Sequence, residues 1–377
     1  MKKDYSKHPF VLFFSYFKPH RTLFAIDMFC AIAVAAIDLI FPFVSKKSME
    51  LYLPNHLFKT FFIVMGIIIA AYVLRSVFYY IITVFGHKMG VLVEADMREE
   101  VFSHMQELSF SFYDNNRTGV LMSRITTDLF DITELAHHGP ENVVISVLTL
   151  AGSLSVLMTV NWKLALVLAI VIPIFIFFTQ RQRTNMLKAN LEVKKKTAEI
   201  NASIESSISG IRTAKAFVNE STEESKFKKS NDMFKTAKAD YYKAMGVFHG
   251  GMEFTMGIMQ VIVITFGGYL IMRGEMNYID LLTFTLYVST FLSAVRTLAT
   301  FMEMFMQGSA GFSRFLEIMR TEPDIKDAPD AVDAGVLRGD IVYNNVSFNY
   351  DDGTCVLKNI NLSIKAGESF ALVGPSG

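Results

Sequence analysis

The stretch from Asn142 to Thr179, NVVISVLTLAGSLSVLMTVNWKLALVLAIVIPIFIFFT, decides the fold class of this chain. It contains two apolar runs, 142–160 and 163–179, with only Asn161-Trp162 between them. A helix of about 20 apolar residues crosses the hydrocarbon core of a bilayer, which is about 30 Å thick. Each run is close to that length, so the pattern predicts two membrane spans joined by a tight turn.

The rest of the chain carries the same apolar character. Of its 377 residues, 51% are hydrophobic and 19% charged, which is more apolar than an ordinary soluble domain. The charged residues, 36 basic and 36 acidic, cancel, so no basic excess points to a nucleic-acid partner. Four further windows are long enough to cross a bilayer, giving six predicted spans at about 23–44, 60–85, 142–160, 163–179, 247–272 and 278–302.

The basic residues predict the orientation of these spans. Segments 1–22, 86–141 and 180–246 hold 23 Lys and Arg residues, whereas 45–59, 161–163 and 273–277 hold five. The positive-inside rule places the first set in the cytoplasm. We therefore expect a multi-pass protein of the plasma (inner) membrane with both termini cytoplasmic, and long inner helices that continue past the bilayer. Segment 4–19 is expected to form an interfacial helix, and Gly139-Pro140 to start the third spanning helix.

The character of the sequence changes after the last span. Segment 321–336 is rich in Asp, Glu and Pro and is predicted to be a linker between a membrane domain, 1–320, and a second domain that starts at 337. Alternating apolar residues predict strands around 341–350 and 360–364. A further apolar strand, 369–373, runs into Gly374-Pro375-Ser376-Gly377, which matches four of the eight positions of a phosphate-binding loop; alone, this tetrapeptide fits an ordinary turn better.

Three ordered blocks carry a family resemblance. The first is Leu108-Ser109-Phe110-Ser111-Phe112-Tyr113 with Gly119–Asp128, the second is Glu205, Gly210-Ile211, Lys215-Ala216-Phe217 and Glu220, and the third is Val346–Tyr350 with Gly367-Glu368 and Val373–Gly377. Together they resemble the exporter-type half-transporters of the ABC family, in particular bacterial multidrug and lipid exporters. The resemblance extends over nearly the whole chain.

This resemblance implies a fold and a function. The fold is an all-α membrane domain of six long helices extended into the cytoplasm, followed by the first β-strands of an α/β P-loop ATPase domain. The function is ATP-driven efflux of amphipathic compounds or lipids by one half of a homodimer or heterodimer. The alternative is a six-span channel or regulatory module that transports nothing itself.

The resemblance also implies ATP and Mg²⁺ as cofactors. Tyr350 would stack on adenine, and Gly374, Pro375, Ser376 and Gly377 would approach the phosphates. We expect the sequence to be cut within the phosphate loop, because the phosphate-binding Lys and the Mg²⁺-binding Ser or Thr do not follow. The 377 residues would then contain no catalytic residue and hydrolyse no ATP on their own.

Two loop segments resemble the tips that couple the ATPase to the membrane helices in this family. They include Thr126, Thr127 and Asp128 in the first inner segment and Gly210, Lys215 and Phe217 in the second. The alternative interpretation is that both are solvated helix bends.

Ionisable residues within or beside the spans are candidates for the transport pathway. An ionised side chain in a span costs about 2.5–3.5 kcal/mol on insertion scales. Structural ion pairs are an equally good explanation. No metal site is predicted, because His137 and His138 are adjacent and have no spaced partner of the HExxH kind. The candidate pathway residues are Asp38, Arg75, Glu253, Arg296 and Glu303.

Overall fold

Six long apolar helices build most of the molecule. The computed structural model describes residues 3–328, 330–349 and 353–373, and the chain divides into two compact units, Met1–Glu322 and Pro323–Gly377. The first unit is helical: α1 (Pro9–Ser15), α2 (Arg21–Leu51), α3 (Phe58–Glu107), α4 (Phe110–Asn115), α5 (Thr118–Ile125), α6 (Thr127–Val160), α7 (Trp162–Ser209), α8 (Ile211–Ala216), α9 (Glu220–Met272) and α10 (Tyr278–Met319).

The helices are much longer than a bilayer is thick. Helix α3 has 50 residues and α9 has 53, so each is about 75–80 Å long at 1.5 Å per residue. The six that are long and apolar enough to cross a membrane are α2, α3, α5–α6, α7, α9 and α10. The predicted fold class is confirmed, including the extension of the helices well beyond the membrane.

Two large apolar cores, with a smaller cluster around Val34 and Ile82, hold the described part of this unit together. One joins α1, α3, α6 and α10 around side chains such as Met97, Ile132 and Phe315. The other joins α7, α9 and α10 around Met259, Phe284 and Tyr287. Helix α10 contributes to both cores, so the packing of α10 couples the two halves of the bundle.

The start of the third spanning helix differs from the prediction. Helix α6 begins at Thr127 and runs through Gly139-Pro140 without ending. A proline inside a helix costs about 3 kcal/mol because it removes one hydrogen bond. Residues Leu129, Ile132 and Ala136 on the preceding turns are fully buried in the first core. This tertiary packing offsets the local preference of the Gly-Pro pair.

The interfacial helix is shorter than the predicted segment 4–19. Helix α1 covers only Pro9–Ser15, with Pro9 at its first position, and the following residues form turns up to Arg21. The aromatic residues of the predicted segment do not share one face, because Phe10 and Phe14 of α1 are exposed while Phe17, in the following turn, is buried in the first core.

The N-terminal segment is tied to α3 by polar contacts at Glu100, beyond the apolar part of α3. Lys3 Nζ and Tyr16 Oη both donate to Glu100 Oε2, at 2.7 and 2.8 Å. Burial raises the pKa of Glu100, but the hydrogen bonds from Lys3, Tyr5 and Tyr16 outweigh it, so the pKa is lowered overall. Glu100 therefore stays ionised at neutral pH and anchors the segment.

The second unit begins with an antiparallel hairpin of β1 (Ile341–Asn349) and β2 (Cys355–Ile364), in which Tyr343 pairs with Leu362. Bulges interrupt the register where Asn345 and Asn359 have positive φ angles of 53° and 54°. The strand predicted at 369–373 does not form. A strand needs a hydrogen-bonded neighbour, and in the part of the chain that the structure describes these residues have none.

Candidate functional site

Two of the five candidate pathway residues, Asp38 of α2 and Arg75 of α3, form an ion pair. Arg75 Nε and Nη2 donate to the two carboxylate oxygens of Asp38 at 2.7 and 2.9 Å. The Tyr79 ring centroid lies 4.7 Å from the guanidinium carbon. A bidentate pair flanked by an aromatic ring lowers the cost of both charges in an apolar layer. The structural ion-pair interpretation therefore fits these two residues.

A second ion pair joins α9 to α10. Arg296 Nη2 donates to Glu253 Oε1 at 2.5 Å and lies 3.5 Å from Met256 Sδ. Both side chains remain about half exposed, at 47% and 60%. Charged groups that are exposed at membrane depth are tolerated where they face a water-filled space. This pair is the better candidate for a wall of a transport pathway.

Glu303 has no ion-pair partner among the described residues. It is exposed and lines a small cavity of about 320 Å³ together with Asp131, Glu134 and Thr300. Arg296 therefore contacts α9, whereas Glu303 faces α6 across this cavity.

A larger cavity opens between α1, α6 and α10, with a volume of about 600 Å³. We call it the phenylalanine cavity. Its edge carries Ser309, Ser313, Glu317 and Arg320, which gives an apolar pocket a polar rim. Its apolar lining includes Phe10, Phe13, Phe14, Leu135, Val143, Phe301, Phe305 and Phe312.

The first predicted coupling segment lies at a helix junction. Thr126 separates α5 from α6, and Thr127 is the first residue of α6. Asp128 is buried, and its two carboxylate oxygens accept hydrogen bonds from Arg314 of α10 at 2.7 Å each. Asp128 therefore ties α6 to α10. The exposed apolar side chains of this loop include Phe110 on α4 and Val120 and Met122 on α5.

The second predicted coupling segment forms a separate short helix, α8, at the tip of the α7–α9 hairpin. Gly210 caps α7, and a Cβ there would lie 3.1 Å from Ser206 O. Lys215 Nζ lies 3.6 Å from Glu220 Oε1. Phe217 is 79% exposed, which leaves a large apolar ring on the tip for a partner to cover.

A family model described as the ABC transporter transmembrane region matches residues 24–295, which cover the first five spanning helices and much of the sixth. The chain belongs to the ABC transporter family. The predicted resemblance is confirmed, and the six-helix unit is the membrane domain of an exporter-type half-transporter.

Relatives of this ABC transporter chain span nearly all of it. The Bacillus subtilis (strain 168) protein named "Uncharacterized ABC transporter ATP-binding protein YwjA" is 40% identical over 366 residues, covering 97% of this chain and 64% of that protein. The ATP-dependent lipid A-core flippase of Syntrophus aciditrophicus (strain SB) is 29% identical over 365 residues, covering 96% of this chain and 60% of the flippase. The chain thus spans less than two thirds of the length of these relatives.

The nucleotide-binding residues expected of an ABC transporter lie outside the described residues. These are Tyr350, Gly374, Pro375, Ser376 and Gly377. Their roles remain predictions that the family membership supports.

Sequence reasoning missed Arg314, because it lies beyond the apolar windows and nothing in the sequence links it to Asp128, 186 positions away. Sequence reasoning also missed His87 of α3, which lies next to His137 and His138 in the structure.

Proposed function

We propose that this chain contains the membrane domain of one half of a dimeric, ATP-driven exporter. The exporter moves amphipathic compounds or lipids out of the cell across the plasma membrane. The phenylalanine cavity carries the proposal. Its volume of about 600 Å³ lies within the range of about 300–1,000 Å³ usual for small-molecule sites. Aromatic walls with a charged and hydroxyl rim suit a ligand that has an apolar body and a polar end.

The position of the cavity also supports a substrate that enters from the membrane. Helix α1 supplies Phe10 and Phe14, which are exposed beside the cavity mouth. At the rim, Arg320 Nε and Nη2 donate to the carbonyl oxygens of Tyr5 and Lys7 at 2.9 and 3.1 Å. The positive charge is thereby fixed at one end of the apolar wall, where the headgroup of a lipid or an acidic group of a compound would lie.

The exporter would work as a dimer of two halves, with the same or a different second chain. Residues 187–236, all described, form the α7–α9 arm, and none of them is buried. Its tip exposes Phe217 at 79% and Val218 at 83%. A helical arm with no buried side chain and with exposed apolar residues at its tip is typical of an element that packs against another subunit.

ATP and Mg²⁺ would be used by the ATPase domain whose first strands are β1 and β2. Thr126, Thr127, Gly210, Lys215 and Phe217 would lie at the two contacts between that domain and the membrane helices. The count of basic residues supports cytoplasmic termini and hence an ATPase on the cytoplasmic side.

The proposal predicts that truncating two aromatic side chains of the cavity wall weakens substrate binding. Replacing Phe301 and Phe305 together by alanine should raise the substrate concentration needed for half-maximal ATP-dependent transport about tenfold, which corresponds to ~1.4 kcal/mol of binding free energy. The assay is uptake of an amphipathic dye or a labelled lipid into inverted vesicles that contain the full-length protein.

The matched control is Phe254→Ala on α9, where the side chain is 67% exposed and lines no part of the cavity. An equal effect of this control and of the double variant would remove the cavity from the transport pathway. Substrate movement at the same rate without ATP would favour a channel instead.

A further inference from the structure

Three histidines from two helices meet beyond the apolar windows of α3 and α6. They are His87 of α3 and His137 and His138 of α6, and we call them the histidine cluster. One nitrogen from each side chain lies within 4.8 Å of the others. The ring centroids are 4.1 Å apart for His137 and His138, and 4.4 Å apart for His87 and His137.

Hydrogen bonds give all three rings the same tautomer. In each ring Nδ1 lies 2.7 Å from an oxygen that acts as an acceptor, a backbone carbonyl in two cases and a carboxylate in the third. Nδ1 therefore carries a proton, and in the neutral form of each ring the lone pair is on Nε2. Histidines that bind metals are held in this way, with one nitrogen donating to a carbonyl or carboxylate and the other on the metal. The three pairs are His87 with Thr83 O, His137 with Thr133 O and His138 with Glu141 Oε1.

The Nε2 atom of His137 is buried and has no hydrogen-bond partner among the described residues. His137 as a whole is 2% exposed. A buried polar atom without a partner costs about 1–3 kcal/mol. The Glu134 carboxylate oxygens lie 3.9 Å from Nε2 of His137 and 3.9 Å from Nε2 of His138, too far for a hydrogen bond but well placed as a fourth donor.

Three carboxyl groups, none of which pairs with a Lys or Arg among the described residues, border the cluster. Asp27 of α2 is fully buried, and neither of its oxygens has a partner within the described part of the chain. A Cβ placed on Gly86 would lie 3.3 Å from Asp27 Oδ1 and 3.8 Å from Glu141 Oε2, so both carboxylates border the residue next to His87. Among the described ion pairs, Glu134 and Glu141 contact only histidines. Buried charges of one sign are stable when a cation joins them.

We propose that His87, His137 and His138, with Glu134 as the fourth ligand, bind a divalent transition metal ion such as Zn²⁺. Three imidazole nitrogens and one carboxylate oxygen form a ligand set that Zn²⁺ and Co²⁺ accept in four-coordinate geometry. Zn–N bonds of about 2.0–2.1 Å hold tetrahedral ligand atoms about 3.3 Å apart. The three histidine nitrogens lie within 4.8 Å of one another, so the widest histidine pair must close by about 1.5 Å. The bound ion would clamp α3 to α6.

The test is a metal titration of the full chain, purified in detergent with an affinity tag that contains no histidine. We expect one equivalent of Co²⁺ per chain, with the visible absorption of a four-coordinate site, and displacement of Co²⁺ by Zn²⁺. The measurement requires neither ATP nor transport, so its outcome is independent of the proposed function. The absence of saturable binding up to about 1 mM metal would overturn the proposal.

Three variants and one control locate the site. His87→Ala and His137→Ala should each weaken Zn²⁺ binding by about 100-fold, and Glu141→Gln, which removes the charged acceptor of the His138 Nδ1 hydrogen bond, by about tenfold. His87 is exposed, so its variant should fold even if the variant of buried His137 does not. His249→Ala, at an exposed histidine of α9, should bind as the unchanged chain does. Binding that survives His87→Ala would show that the metal sits elsewhere.

Discussion

Replacing Gly308 of α10 with leucine is expected to separate α10 from α6 and to destabilise the membrane domain by about 3 kcal/mol or more. A Cβ at this position would lie 2.6 Å from Leu135 Cβ and 2.8 Å from the backbone oxygen of Asp131. Neither atom can move away by a change of rotamer, because the backbone of α6 fixes the position of both. The two helices must therefore move apart along the core that they share.

The spacing of small residues explains why this contact is so close. Gly311 lies one turn further on, and a Cβ there would be 3.0 Å from the backbone oxygen of Asp128. Small residues on one helix face let two helix backbones approach closely. Gly308 and Gly311 together set the distance between α6 and α10.

The measurement is the thermal midpoint of the purified protein in detergent, with Gly257→Leu as the matched control. Gly257 is a helical glycine of α9 with nothing within 4 Å of its would-be Cβ. The midpoint should fall by about 6 °C or more for Gly308→Leu. It should stay near that of the unchanged chain for Gly257→Leu. Equal midpoints for the two variants would contradict the close packing of α6 on α10.

Removing Arg314 is expected to cost about 3 kcal/mol, because it leaves the Asp128 carboxylate buried without its partner. The side chain of Asp128 is only 8% exposed, and both of its oxygens depend on Arg314. This expected loss of stability lies at the lower end of the range for removing one partner of a buried ion pair. The reason is that the Arg314 side chain is 40% exposed, so water reaches the site.

A double-mutant cycle distinguishes the interaction free energy of Arg314 and Asp128 from non-specific destabilisation by either substitution. Arg314→Ala and Asp128→Ala should each destabilise the protein, while the double variant should lose clearly less than their sum, since no charge is then left unpaired. Lys243→Ala provides the control, because its pair with Asp240 is 80% and 59% exposed and should contribute at most about 0.5 kcal/mol. Additive losses for Arg314 and Asp128 would mean that the two residues do not interact.

The six spans were predictable from sequence because the bilayer imposes a minimum length of apolar helix that few other structures require. Asp38 and Arg75 were also identifiable as costly charges in spans. Their pairing was not, since the sequence does not state that α2 and α3 are neighbours. The start of α6 at Thr127 depended on its packing against α10, which overrode the Gly139-Pro140 signal.

The histidine cluster could not be predicted either, because its residues come from two helices that the sequence does not show to be neighbours. His137 and His138 follow each other in sequence, and their third partner lies 50 positions earlier on another helix. Metal-site patterns can be read from sequence when all ligands lie on one helix or loop, at fixed spacings. A site shared between two long helices becomes visible only when their relative register is known.

The most direct test of the whole account is reconstitution of the full-length protein in liposomes containing a labelled lipid or an amphipathic dye. We predict that labelled substrate moves from the side that carries the ATPase to the opposite side when Mg²⁺ and ATP are added, and that a non-hydrolysable ATP analogue supports no movement. ATP hydrolysis without movement of any of these substrates would contradict the assignment as an exporter of amphipathic compounds or lipids.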